Sequence, residues 1–532
     1  MKKFFFFVAM YVLSVTLNAQ NVNGAYLLTE GMFGNSSGKL FWLATPASEL
    51  EQKEGLEFGE TSTFATIYGD KLFVTSKQVG NYGGGFLTIF DAKTLTGVAS
   101  FSTLIDDGHN YDGRMFYGVD ETKGYLCTSN GIFVIDIENN VIVKFIEGTE
   151  CGYGVGEAID GGWYQYDTYW NQVGAVVRVG NHVFVSQQNR GILIIDADTD
   201  KIVHLIDSEL YGGSFGDLIQ AKDGSLWTTV CSKENYSYDH TPASNKLVKI
   251  DPYSYSVEIL EMNNKISVSW STYRTPMMQV CKDSNRILWK GVSYFDWMLY
   301  EQVGLPQICY YDIDTQTEGV FVDFSKIDSN YSIYSGFSVD PQTGNVYVPV
   351  ASSGSYGPWY LYIFDSKGEL ISKKDIPIGD YDDYPAMVFF TDDYAAEFNM
   401  EDEYILKLNE ERIFTIADIV TDKDSNDAGI IVEVSNVEDE GVVNAEVVDG
   451  KLHVTCVGMG VSKITLKANS NGKISTTTFN VVEEVMSSVD DLYRDSNSDK
   501  IEYYNLQGVK VDNPKQGLFI KKQGGKASKV VL

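Results

Sequence analysis

Proline, cysteine, histidine and basic residues are scarce in this chain of 532 residues. It has 11 Pro, which is too few for a proline-rich disordered protein, and 41 Lys and Arg against 73 Asp and Glu. The formal net charge is therefore −32 at pH 7, and −34 once Lys2 and Lys3 are removed with a cleaved leader. A surface this acidic repels phosphate backbones and anionic lipids, so we expect no nucleic-acid partner.

Short catalytic and metal-binding motifs are also missing. The sequence contains no HExxH, GxSxG or P-loop pattern and no CxxC pair, so we expect no metal site and no cofactor and assign no catalytic residue. Six Cys cannot staple a chain of this length, and buried free thiols are the favoured interpretation, with disulfides as the alternative in an oxidising compartment.

A continuous hydrophobic run occurs at the N-terminus, where residues 4–15 follow two lysines. The run is too short to span a bilayer, and Ala19 supplies a small residue for cleavage. Residues 1–19 are therefore predicted to be a secretory signal peptide. No Cys follows the predicted cut, so no lipid anchor is expected. We expect an exported protein without a transmembrane segment in the mature chain, at the surface of a Gram-negative bacterium or outside it, with the periplasm as the alternative.

A strand-turn-strand unit recurs throughout the first 400 residues. Residues 180–207 show it most clearly, with three strands and a tight turn that opens at Asp196. The equivalent turn residues elsewhere are Asp91, Asp136, Asp251, Asp312 and Asp365. Their spacing of 45 to 61 residues suits four short antiparallel strands and a variable loop, which is one propeller blade. Each Asp is predicted to accept backbone N–H bonds within its turn, a structural role.

The two ends of the repeat region are complementary. Residues 24–54 supply three strands of a blade that lacks its first strand, and residues 384–393 supply a first strand without a blade. Pairing them would close the ring and leave no open sheet edge. The sequence therefore predicts an all-β fold with a seven-bladed β-propeller over residues 24–398.

The composition changes after residue 403. Strands rich in Val, Ile and Thr at intervals of 8 to 12 residues predict a β-sandwich over residues 403–484. The segment resembles bacterial Ig-like domains in the runs 449–455 and 458–465, and this resemblance implies a spacer. Residues 485–500 are polar and are predicted to form a linker.

The last segment, residues 501–532, is predicted to form a small β tail. It resembles the C-terminal sorting tails of the type IX secretion system in the runs Tyr504–Gly508 and Gly517–Ile520 and in the basic residues Lys526 and Lys529. The resemblance implies a location outside the outer membrane.

Large aromatic residues concentrate in the loops expected on one face of the propeller. These are the loops from second to third strands and from one blade to the next, whereas the turns of the opposite face are short. Exposed rings on one face indicate a binding site, although some of them could instead pack inward and order the loops. Three arginines near the same rim could orient a polar group or form salt bridges. The predicted ligand-binding residues are Tyr82, Tyr111, Arg114, Trp163, Tyr164, Tyr166, Tyr169, Trp170, Arg190, Tyr236, Tyr238, Tyr273, Arg274, Tyr294, Trp297, Tyr356 and Trp359.

The opening run Tyr26–Asn35 and the repeated strand-Asp-turn units resemble the YncE-like seven-bladed surface propellers. These include the BtuG type, which captures cobalamin for a TonB-dependent transporter. The resemblance implies a ligand-binding protein that captures a nutrient, with a corrinoid ahead of a saccharide, and a TonB-dependent outer-membrane transporter as a partner. Two alternatives stay open. One is a propeller lyase or hydrolase that uses His109 or His240, and the other is an adhesion or protein-interaction module.

Overall fold

The computed structural model of the chain is built almost entirely from antiparallel strands. Six four-stranded sheets and one sheet with a split inner strand form a closed propeller, two further sheets form a sandwich, and three strands form a C-terminal sheet. No helix in the portion that the structure describes is long and apolar enough to cross a bilayer. The structure describes residues 24–32, 34–80, 84–106, 109–150, 172–188, 190–231, 243–268, 276–296, 301–353, 356–381, 383–483, 501–523 and 526–532.

Six blades follow one another along the chain, and each begins with its innermost strand. The strands are Glu60–Tyr68, Lys71–Gln78, Leu87–Asp91 and Gly97–Phe101 in blade 1; Gly113–Gly118, Lys123–Thr128, Ile132–Asp136 and Val141–Phe145 in blade 2; Val173–Val179, His182–Gln187, Gly191–Asp196 and Lys201–Asp207 in blade 3; Ser214–Gln220, Leu226–Cys231, Ala243–Ile250 and Val257–Ser267 in blade 4; Met278–Val280, Arg286–Lys290, Gln307–Asp312 and Thr317–Asp323 in blade 5; and Ser332–Ile333 with Ser338–Val339, Val346–Ser353, Tyr356–Phe364 and Leu370–Ile376 in blade 6.

Blade 7 combines the two ends of the propeller. From the inside outward its strands are Pro385–Phe390, Ala25–Thr29, Leu40–Leu43 and Glu51–Lys53. The first two are antiparallel, with Ala25 opposite Phe390. The predicted ring closure is therefore confirmed, and it removes two exposed sheet edges.

The turn aspartates hold the connections between third and fourth strands. Asp91 Oδ1 accepts from the backbone N–H of Thr94 at 2.7 Å, and Asp251 Oδ1 accepts from that of Ser254 at 2.7 Å. The equivalent bonds at Asp136, Asp196, Asp312 and Asp365 measure 2.8 to 3.0 Å. These bonds lower the pKa of Asp91 and Asp251, because they favour the charged carboxylate. The predicted structural role is confirmed.

The fifth residue of these turns adopts a left-handed backbone conformation in five blades. Leu95, Asn140, Asp200, Tyr255 and Gln316 have φ angles between 54° and 58°. Because glycine occupies none of these positions, the turn geometry itself must offset the cost of the strained backbone.

The hydrophobic core lies between neighbouring blades. Phe73 of blade 1 and Phe116 of blade 2 stack in parallel with ring centroids 3.7 Å apart, and valine and isoleucine fill the space between blades 2 and 3. Four cysteines, Cys127, Cys281, Cys309 and Cys456, are buried and free. The predicted free thiols are thus confirmed for these four.

Several short elements interrupt the regular pattern. The connection between the second and third strands of blade 5 contains the hairpin Ser293–Asp296 and Glu301–Gly304. Two-residue strands at Ile105–Asp106 and His109–Asn110 pair between blades 1 and 2. Single 3₁₀ turns lie at Ser208–Tyr211 and Phe324–Lys326.

The second domain is a sandwich of two sheets around one apolar core. One sheet contains Glu403–Leu406, Lys473–Glu483, Val461–Ser470 and Ile431–Val437, and the other contains Glu411–Thr415, Lys451–Cys456 and Val443–Val448. The strands Glu397–Phe398 and Val420–Thr421 pair beside it, with a helical turn at Ile416–Ile419 and a 3₁₀ turn at Asp427–Gly429. Leu452, Leu466 and Phe479 lie in the shared core. The C-terminal sheet comprises Glu502–Tyr504, Leu518–Gln523 and Lys526–Val531.

Candidate functional site

The innermost strands of all seven blades surround a central cavity of about 410 Å³. Its wall is largely apolar and includes Phe64, Met115, Met278 and Met387. We call the propeller face with the aspartate turns the turn face and the opposite face the loop face. Residues 424–426 and Asn471 of the sandwich also line the cavity. The sandwich therefore closes the cavity on the turn face.

Hydrogen bonds fix the sandwich in this position. Asn469 Nδ2 lies 3.1 Å from the Tyr68 hydroxyl, and Asn471 Nδ2 donates to the carbonyl of Ile67 at 2.9 Å. Asn426 Nδ2 donates to the carbonyl of Gln220 in blade 4 at 3.2 Å. A spacer, as the Ig-like resemblance implies, would not need such bonds. In this chain the sandwich forms the floor of the propeller cavity.

A group of four ionisable residues, three of them buried, lies at the loop-face ends of blades 7, 1 and 2. We call Glu30, Lys77, Asp112 and Arg114 the charged cluster. Glu30 directly follows the second strand of blade 7, and Lys77 is the penultimate residue of the second strand of blade 1. Arg114 begins the innermost strand of blade 2 and lies 3.5 Å from Asp112 Oδ2. Buried charges are costly unless they are paired, so their presence here indicates a role beyond packing.

The electrostatics of the cluster centre on Lys77. Burial lowers the pKa of the Lys77 ammonium well below its usual range, and the nearby Arg114 cation lowers it further. The carboxylates of Asp112 and Glu30 act in the opposite direction. A lysine in such surroundings is neutral over a wider pH range than an exposed one, and the neutral amine is the form that can accept a proton or act as a nucleophile.

Polar contacts extend the cluster across the channel. The hydroxyl of Tyr334, in blade 6, donates to Glu30 Oε2 at 3.4 Å. Lys290 Nζ, from blade 5, donates to the carbonyl of Tyr334 at 3.1 Å. Asp383 accepts from the backbone N–H of Gly31 at 2.9 Å and pairs with Lys39 at 3.0 Å. Residues from five blades therefore contribute polar groups to this end of the channel.

Most of the aromatic residues predicted from sequence fall in segments that the structure does not describe. Only the backbone of Tyr294 is described, in the blade 5 hairpin. The residues outside the described ranges are Tyr82, Trp163, Tyr164, Tyr166, Tyr169, Trp170, Tyr236, Tyr238, Tyr273, Arg274 and Trp297. Their role in binding stays a prediction.

Two of the described aromatic residues are buried. The indole of Trp359 is enclosed by Tyr334 and Tyr384 and donates to the carbonyl of Gly379 at 3.1 Å. Tyr111 packs against Phe133 and Phe145 between blades 1 and 2. Both rings thus pack inward, the alternative that the sequence left open.

The other three described residues lie in different surroundings. Arg114 belongs to the charged cluster. Arg190 donates to the carbonyls of Gly148 and Glu150 and so holds the start of the segment between blades 2 and 3. Tyr356 is 41% exposed and contacts Tyr381, which is 66% exposed, with ring centroids 5.2 Å apart. This exposed ring pair is available to a ligand.

Glu30, Lys77 and Lys290 were not predicted from the sequence. Each stands at or next to the loop-face end of a second strand. Aligning the repeated units by these strands would have placed the three side chains around one end of the channel. Among the described residues, no group of three His, Cys, Asp or Glu side chains is arranged to hold a metal ion.

Comparison with protein families identifies the propeller region. Residues 23–391 match DUF5074, described as a domain of unknown function. The chain belongs to the DUF5074 family. The match covers the propeller of this DUF5074 protein and ends before the sandwich. The search of curated proteins found no match.

Solved structures similar to this DUF5074 protein are remote. A quinoprotein alcohol dehydrogenase-like protein from Bacteroides thetaiotaomicron is 16% identical, with a TM-score of 0.47 over 70% of this chain and 79% of that chain. A 6-phosphogluconolactonase-like protein from Bacteroides fragilis is 11% identical, with a TM-score of 0.45 over 70% of this chain and 99% of that chain. The β-propeller domain of Cps50 (Swd1) from Myceliophteria thermophila is 10% identical, with a TM-score of 0.37 over 58% of this chain and 86% of that chain. No ligand or reaction is transferred from such distant proteins.

Proposed function

We propose that this protein is an exported binding protein that captures a small ligand at the loop-face end of the propeller channel. The main support is the charged cluster, in which Glu30, Lys77 and Arg114 are buried and Asp112 is half-buried, above a cavity that the sandwich closes from below. A site with one blocked end retains a ligand that enters from the other. Polar groups that are fixed in place before binding orient a polar ligand without reorganisation.

The proposed ligand has a polar group for the charged cluster and a broad surface for aromatic rings. Tyr356 and Tyr381 provide an exposed ring pair among the described residues, and the loop residues predicted from sequence would add further rings. A corrinoid suits this description and is also what the resemblance to BtuG-type propellers implies. We therefore propose nutrient capture, with a corrinoid ahead of a saccharide and a TonB-dependent transporter as the receiving partner.

A second candidate function is catalysis at the same site. It is favoured by Lys77, whose pKa is lowered by burial, and by its proximity to Glu30 and Arg114. A neutral lysine amine beside an acidic side chain could move a proton in a lyase or hydrolase reaction. Product analysis after incubation with glycans distinguishes turnover from binding.

Calorimetric titration of the mature protein with cyanocobalamin tests the corrinoid proposal, and an array of glycans tests the alternative. Lys77→Met and Arg114→Met are expected to lower the affinity for the ligand at least about tenfold. Lys93→Met, at an exposed turn on the opposite face, is the matched control and should bind like the wild type. Absence of heat and of tryptophan quenching at high micromolar cyanocobalamin would exclude a corrinoid. Equal affinity of all three variants for any ligand found would place the site elsewhere.

Protease treatment of intact cells tests the location. A surface protein is degraded under conditions that leave periplasmic proteins intact. Protection from the protease would contradict display outside the outer membrane.

A further inference from the structure

The junction between propeller and sandwich contains a second group of buried charges, separate from the charged cluster. Asp392 follows the closing strand of blade 7, and its carboxylate accepts from Ser425 Oγ at 2.8 Å and from Lys473 Nζ at 2.7 Å. Its neighbour Asp393 donates a backbone N–H to Asp424 Oδ2 at 2.7 Å. Each of these three hydrogen bonds joins a propeller residue to a sandwich residue. This group therefore helps to hold the two domains together.

Two carboxyl groups at the junction are buried and incompletely hydrogen-bonded. Asp422 and Asp424 are 6% and 4% exposed. Asp422 Oδ1 accepts from the backbone N–H of Asp424 at 3.0 Å. Asp422 Oδ2 and Asp424 Oδ1 are buried and have no hydrogen-bond partner within the described part of the chain. A buried carboxylate oxygen without a donor is costly while the group is charged, and two neighbouring carboxylates also repel each other.

We propose that Asp422 and Asp424 share one proton, and that this proton makes docking of the sandwich on the propeller stronger in mildly acidic than in neutral solution. The shared proton supplies the donor that the pair otherwise lacks. When it leaves, two like charges remain buried at the domain boundary, and separating the domains exposes them to water.

The charges around the pair determine the direction of the effect. Burial, together with the negative charges of Asp392 and Asp422, raises the pKa of Asp424 to about 7, although the backbone N–H of Asp393 acts in the opposite direction. The cation that reaches this region is Lys473, which is bound to Asp392, and Asp427 adds another carboxylate that accepts from the N–H of Asp422 at 2.7 Å. From blade 4 and blade 5, Lys222 and Lys282 line the adjoining pocket together with Asp427.

The sign follows from the two pKa values of Asp424. Its ordinary value is 3.8, and part of the rise comes from Asp392 of the propeller, whose negative charge acts on Asp424 when the domains are docked, so the docked form holds the proton over a range in which the separated form has lost it. Docking is therefore unaffected below about pH 4, weakens as the pH rises toward about 7, and stays at its weakest above that value.

Hydrogen exchange at Gly69 reports docking directly, because its backbone N–H donates to the carbonyl of Asn471 across the boundary at 2.8 Å. In the full chain we expect protection of this amide, corrected for the intrinsic rate, to fall about tenfold or more from about pH 5 to about pH 8. Asp424→Asn supplies a permanent N–H donor to Asp422, so its protection should be independent of pH over the same range. Asp418→Asn, at an exposed position of the sandwich, is the control and should behave like the wild type.

Three outcomes would overturn the proposal. The first is equal protection of wild-type Gly69 at both pH values, and the second is an Asp424→Asn variant that keeps the wild-type pH dependence. The third is recovery of protection at about pH 8 by millimolar Ca²⁺, which would identify the pair as a cation site. If Asp424→Asn does not fold, Asp422→Asn provides the same test, because its amide is equally able to donate within the pair.

Discussion

The side-chain amide of Asn471 donates to the backbone carbonyl of Ile67 at 2.9 Å and also lies 2.5 Å from Asp392 Oδ2. Ile67 belongs to the innermost strand of blade 1, Asp392 follows that of blade 7, and Asn471 lies in a hairpin turn of the sandwich. One amide group therefore joins the sandwich to both sides of the seam where the propeller closes.

Replacing this amide should loosen the sandwich. Asn471→Ala removes two donated hydrogen bonds and places alanine at a φ of 47°, which asparagine tolerates better. We expect docking to weaken by about 2 kcal/mol and Gly69 to exchange faster. Asn436→Ala, at an exposed position of a sandwich strand, should leave exchange at Gly69 unchanged. Equal exchange in both variants would show that the Asn471 bonds do not hold the domains together.

The buried indole of Trp359 is expected to contribute to the stability of the fold rather than to ligand binding. Trp359→Ala leaves a large cavity beside Tyr334 and Tyr384, and we expect it to lower the free energy of unfolding by about 3 to 5 kcal/mol. Trp359→Phe keeps a ring and should cost clearly less. Urea denaturation measures both changes. A Trp359→Ala variant that is as stable as the wild type but binds no ligand would instead support the role predicted from sequence.

Lys77 should make the free energy of unfolding depend on pH in the alkaline range. Because burial lowers the pKa of this amine in the folded state, the unfolded chain binds more protons between the lowered value and the usual value near 10.5. Stability should therefore rise with pH across that window. Lys77→Met should show a flatter dependence from about pH 7 to about pH 9, measured by urea denaturation. An identical pH dependence in Lys77→Met would mean that the amine is charged in the folded protein.

Each turn aspartate should make a small contribution to the free energy of unfolding, through the hydrogen bonds of its own turn. Asp251→Ala removes the acceptor for the N–H groups of Tyr253 and Ser254, and we expect a loss of about 1 kcal/mol. Asp251→Asn keeps an acceptor oxygen and should be closer to the wild type. Thermal denaturation of the two variants compares them. A cost well above this range in Asp251→Asn would indicate that the charge, rather than the hydrogen bonds, stabilises the turn.

The repeat period and the aspartate turns were sufficient to predict the propeller from the sequence, because both are local features. The same holds for ring closure, since residues 24–54 and 384–393 are visibly incomplete blades. The split inner strand of blade 6 was not predictable. There Gly336 packs so closely on the backbone of Pro276 that a Cβ would lie 1.6 Å from the carbonyl oxygen, and contacts of this kind depend on the neighbouring blade.

The site could not be fully predicted because the sequence does not show whether a side chain near a loop points into the core or toward solvent. Tyr111 and Trp359 stand near loops, and their burial depends on neighbours such as Phe145 and Tyr384 that are distant in sequence. Lys77 and Glu30 look like ordinary strand ends until the ring brings blades 7 and 1 together. The docking of the sandwich depends in the same way on Asn469 and Asn471, which the sequence shows merely as a polar hairpin turn.

The composite construction of blade 7 also constrains how the protein can be made. The strand Ala25–Thr29 emerges early from the ribosome, but its inner partner Pro385–Phe390 is among the last parts of the propeller to be synthesised. Until then the propeller is open, and the inner edge of the strand Ala25–Thr29 has no partner. Pairing between strands so distant in sequence makes folding slow. A translocation machine that accepts unfolded chains would therefore have time to transport this chain before the propeller closes.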